Sequence, residues 1–138
     1  MNLRPIAAGV AIALLASLAA RAADPQPLDL RIRNDTATPL RCVMLLAHWY
    51  SEDLDPIGPG GVGSLALESG LPDGTVVRRN SLGRAMAVEG LQCLSGDAGT
   101  AERAAVPLDA LRRATGALLI GCRRATGFEC VVAAGSSP

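Results

Sequence analysis

The side chains best equipped for chemistry crowd into one stretch, Arg41 to Tyr50 (RCVMLLAHWY), which holds the chain's sole His, Trp and Tyr, one of its four Cys and one of its three Met. An imidazole beside two large rings suits stacking on a ligand or contact with a partner chain, because amphipathic rings favour interfaces. His48, Trp49 and Tyr50 are therefore the candidate binding residues. The competing chemistry is copper handling, with His48 and the thioether of Met44 or Met86 as soft ligands. On an extended strand positions 44 and 48 lie about 13 Å apart, too far to share one ion without a bend. Glu52, Asp53 and Asp55 follow directly and offer carboxylates to Ca²⁺. They lack the alternating ligands and closing Glu of an EF-hand, and such a run is ordinarily a solvated turn. Ser51, Ser64 or Ser81 with His48 and Asp53 or Asp55 has the composition of a triad, but no G-x-S-x-G pattern occurs. No catalytic residue, resident metal or cofactor is expected, and the chain is read as not an enzyme.

The cysteines decide the redox setting. Residues 1–22 have the three parts of a secretory signal: Arg4, an apolar run from Ile6 to Ala20, and small residues before a cleavage point after Ala22. The run is too short for a stable membrane anchor. Cleavage removes 22 of 138 residues and leaves 116, expected as one domain over 23–138 with flexible ends. Cys42, Cys93, Cys122 and Cys130 all fall in the exported part, and an even count in an oxidising compartment reads as two disulfides. Of the three pairings, Cys122 with Cys130 is preferred because RRATGFE between them can turn as a hairpin; Cys42 then takes Cys93. No pair has the close spacing of a zinc knuckle.

All 13 basic residues are Arg, against 13 carboxylates. Without Arg4 and Arg21 the balance is about −2, which argues against nucleic acid or an anionic membrane as the main partner. The expected location is the bacterial periplasm, or full secretion, and the expected partner a periplasmic protein or small ligand, with oligomeric state left open.

The elements that must position these groups read as strands. Leu28 to Arg33 alternates strictly, with Leu28, Leu30 and Ile32 inward. NDTATP is dense in turn formers and is expected to return the chain so that the first two strands pair antiparallel. Asn34-Asp35-Thr36 matches a glycosylation sequon, idle in a bacterial product. Arg41 to Tyr50 is apolar on both alternating faces, as a central buried strand is. Thr38 and Pro39 would also open a helix there, but it would be apolar nearly all round. Further strands are expected over Val62 to Glu68, Thr75 to Arg79, Ala85 to Leu94 with a bulge at Gly90, and Ala104 to Leu108 at an edge. Asp109 to Arg113 reads as one helical turn, and a last hairpin joins Ala117 to Arg123 with Phe128 to Ala133. RRATG occurs at 112–116 and again at 123–127, which reads as a reused turn rather than a paired Arg surface for an anion. The fold expected is all-β: a small antiparallel β-sandwich, immunoglobulin-like or related, of about seven to eight strands. Its core must be aliphatic, with only Trp49, Tyr50 and Phe128 as aromatics, so the disulfides matter more.

Overall fold

In the computed structural model, residues 24–97 and 99–135 are described; the expected signal segment and its cleavage point lie outside them. Among the described residues the fold is all-β but for one short α-helix and a single 3₁₀ turn. Alternation sets β1 (Gln26–Asp35), which buries Leu28, Leu30 and Ile32 and exposes the residues between. It pairs antiparallel with β4 (Val62–Ser69) on one side and parallel with β8 (Gly116–Arg124) on the other, and β8 forms a hairpin with β9 (Phe128–Val132). β5 (Val77–Arg79) links β4 to the first residues of β6 (Ala85–Ser95). Beyond those residues β6 turns to other partners, β2 (Leu40–Leu46) and β7 (Glu102–Ala105). The outer edge of β2 carries β3 (Tyr50–Asp53). β6 thus belongs to both halves of a nine-stranded sheet.

A bulge lets it do so. Leu45 pairs with Gly90 but Leu46 pairs with Val88, leaving Glu89 as the extra residue. The added residue keeps Val88, Leu91 and Cys93 all buried although the first two are three positions apart. One core receives the inner faces of both halves, with Met44, Leu40 and Leu91 from one and Leu30, Ile32 and Ile120 from the other. Pro107, with no N–H to give a ladder, ends the β7 segment and precedes α1 (Leu108–Arg113), whose Leu111 is buried.

Three expectations are corrected. β1 and β2 do not pair: the turn after β1 carries the chain across to the other half, where Leu40 opens β2 by bridging to Ile57. The β1–β8 pair is parallel, so the pairing is not wholly antiparallel. Among the described residues nine strands stand where seven or eight were expected, because the opening stretch is not one strand to Tyr50 but breaks after Leu46 into β2, a single 3₁₀ turn and β3. Among the described residues, no helix is long and apolar enough to cross a membrane.

Candidate functional site at the β2–β3 tip

The break after Leu46 creates the site. Leu46 and Tyr50 are the last opposed pair of the β2–β3 hairpin, so Ala47, His48 and Trp49 alone make the turn. A three-residue hairpin connection needs left-handed backbone, ordinarily supplied by Gly or Asn. Here His48 (φ 65°) and Trp49 (φ 67°) supply it. Left-handed backbone costs an L residue about 1 kcal/mol, more where the side chain is bulky. Nothing packs against Trp49 in return: its relative accessibility is 102%, and Tyr50 is exposed as well.

The tip lies beside the start of β6, and the β5–β6 turn that leads into that strand projects from the same end with Leu82 74% exposed. Trp49, Tyr50 and Leu82 therefore give one end of the molecule an apolar, ring-bearing surface. Because its backbone is strained and its side chain unpacked, Trp49→Gly should raise folding stability by about 0.5–1 kcal/mol. Urea unfolding at neutral pH measures this, and a loss of stability would mean the indole packs in solution.

The other predicted ligands are not gathered here. Met44 lies completely buried in the core whereas His48 is exposed, and the shared strand face that would have joined them ends at Leu46. Met86 is half-buried, with its sulfur 3.9 Å from the Asn80 side-chain amide. His48 has no hydrogen bond to a Ser or carboxylate among the described residues.

Both expected disulfides form, Cys42 with Cys93 and Cys122 with Cys130, and no Cys is free. Each joins residues directly opposed on neighbouring strands. The sulfurs of Cys93, Cys122 and Cys130 lie within 4.8 Å of one another, so the two bonds face each other across the buried core. Covalent pairing withholds these thiolates from metal or nucleophilic chemistry. Three of the four Arg in the repeated RRATG are already paired, Arg112 with Asp109, Arg123 with Glu129 and Arg124 with Glu102.

Apart from the tip, a groove of about 520 Å³ lies between β3 and β4 and is floored by the 54–61 loop. Glu52 does not wait there for Ca²⁺. It accepts from Arg78 Nη2 at 2.6 Å and Nε at 3.1 Å, while Arg78 Nη1 donates to the Ala66 carbonyl at 3.0 Å. The hydrogen bond to Glu52 raises the Arg78 pKa further above its usual value. Asp53 and Asp55 line the same groove and have no ion pair among the described residues. Sequence reading missed Arg78, although one signal was present: two consecutive Arg on an extended strand must point to opposite faces, so they cannot share one wet side.

Neither a protein-family model nor a curated protein matches this sequence. Among solved structures, one described as the NMR structure of the protein from Eubacterium rectale is similar over 82% of this chain and 94% of its own, at 9% identity and a TM-score of 0.43. The class defined by fold and site is thus a small all-β protein stabilised by two disulfides.

Proposed function

We infer that this is an exported, non-catalytic binding or accessory protein of the periplasm, which meets its partner through Trp49 and Tyr50 with His48 beside them. Trp49 carries the reading: a fully exposed indole is held at φ 67° on the turn of a hairpin, where Gly would fold better. A residue that costs stability and packs against nothing is retained for what it touches outside the fold. The short connection also fixes the backbone that carries the ring, so little backbone entropy is lost on contact. Two disulfides fit an oxidising compartment and so support export.

The test is affinity capture from a periplasmic extract with the wild type and with Trp49→Ala. Wild type should retain a discrete partner protein, and Trp49→Ala should lose at least about tenfold of it, as anchor aromatics do, with Tm within a few degrees. Equal retention by both proteins would refute the tip as the contact surface. A folded Trp49→Ala is expected, since no neighbour loses packing.

A further inference from the structure

Along the groove between β3 and β4, the facing edges of the two strands carry no ladder partner among the described residues. In an antiparallel ladder the N–H and C=O of one residue point to the same side. Leu54 N donates to Cys42 O, so Leu54 and Glu52 direct their backbone groups at β2 and the alternate residues Ser51 and Asp53 direct theirs outward. On β4, Gly61 O accepts from Asn34 of β1, which sets the odd-numbered residues toward β1 and turns Val62, Ser64 and Ala66 away from it. β5 meets β4 only at Glu68, opposite Val77. Below that pair, the one group on the β4 edge with a partner is the Ala66 carbonyl, and that partner is the Arg78 side chain.

The fork of one guanidinium reaches both walls, Glu52 on β3 and Ala66 on β4. The gap is thus of the order of a single strand position, with neighbouring strands about 4.8 Å apart. Its volume lies in the ordinary range for a ligand site, roughly 300–1,000 Å³. Val62, Ser64 and Ala66 are small and exposed, with neither the charge nor the Pro by which edges are commonly blunted.

We propose that this seam takes an extended segment of another protein as an added β-strand, and that the segment carries Arg or Lys. Backbone pairing to Ser64 and the free Ala66 N–H on one side, and to Ser51 and Asp53 on the other, supplies affinity whatever the sequence. Asp53 and Asp55, unpaired in the groove wall, supply the choice of a basic side chain. A second copy of this chain is the poorer occupant, because its own free edge strand β3 (YSED) would set carboxylates against carboxylates. The seam is separate from the Trp49 tip and stands whether or not that tip binds anything.

The experiment titrates the purified, isotopically labelled protein with an octapeptide alternating Thr and Arg, and with the same peptide carrying Glu for Arg, while amide chemical shifts are followed. The Thr/Arg peptide should move the amides of Ser51, Asp53, Ser64 and Ala66 and bind about tenfold more tightly than the Thr/Glu peptide. The Asp53→Arg, Asp55→Arg double variant should reverse that order. Ser64→Pro removes an outward N–H without touching the β1 ladder and should abolish binding. Should that variant fail to fold, the charge-reversal arm decides alone. Trp49→Ala should leave the peptide affinity unchanged, which separates this seam from the tip. No shift at the four amides, or equal affinity for both peptides, overturns the proposal. Shifts at those amides that follow protein concentration without peptide would assign the seam to a second copy and overturn it equally.

Discussion

Replacing Cys42 and Cys93 together by Ala should lower Tm by about 15 °C, corresponding to about 4 kcal/mol of lost loop-closure entropy and about 4 °C per kcal/mol for a domain of this size. The bond spans 51 residues and joins β2 to β6, the two strands that build one half of the core. Replacing Cys122 and Cys130, only 8 residues apart, should cost about 2.5 kcal/mol and about 10 °C, because the loop released is shorter. The substitutions must be made in pairs. A lone Cys93 thiolate would sit within 4.8 Å of the Cys122 and Cys130 sulfurs and could exchange with that bond, leaving a mixture. Contact between the two bonds also means that the four-Ala variant should depart from the sum of the two pairs. Thermal unfolding of the three variants measures this. A reversed order, or shifts of only a few degrees for both pairs, would show that the aliphatic core suffices without its cross-links.

Local pattern made much of this legible. Strict alternation located β1, the phase change between Val88 and Leu91 signalled a bulge that the structure puts at Glu89, one residue before the expected Gly90, and the turn residues between Cys122 and Cys130 gave that pair. What could not be read were features set by distant partners or by backbone strain. The parallel seating of β1 against β8 joins segments more than 80 positions apart and leaves no trace in either pattern. The tip was misread as strand because the chain turns on His and Trp, where Gly or Asn would have announced a turn. His48, Trp49 and Tyr50 stood out as a group in the sequence, and the structure places them side by side, but their exposure follows from that unannounced turn. Arg78 and Asn34 were passed over for a different reason. Each looks ordinary in its own segment and gains its role from loops far along the chain.

Asn34→Ala should destabilise the fold by about 3 kcal/mol, although Asn34 belongs to the motif that first read as an idle sequon. The residue is completely buried, which closes it to glycosylation in the folded protein. Its Nδ2 donates to Thr38 O and Ile57 O, each at 2.8 Å, and its Oδ1 accepts from Thr36 N at 3.0 Å and Thr36 Oγ1 at 2.7 Å. Its backbone adds bonds to Gly60 and Gly61. One side chain thus holds the crossing from β1 to β2 and the loop that floors the groove. Ala would remove all four bonds and strand Thr36 N, while Thr38 O keeps Thr36 Oγ1 and Ile57 O keeps Leu40 N; a polar group so stranded costs about 1–3 kcal/mol, and the lost bonds to the two carbonyls add to it. Asn34→Asp separates this bonding from simple packing, because it keeps the shape but sets a carboxylate oxygen against two carbonyls. Burial and those acceptors favour the neutral acid, so the introduced carboxyl has a folded pKa above its unfolded value of about 3.9. The variant should therefore fold best below that unfolded value and lose stability against the wild type as pH rises through the folded one. Urea unfolding at pH 4 and pH 7 reads both substitutions. An Asp variant as stable as the wild type at pH 7 would show that the Nδ2 bonds do not hold the crossing.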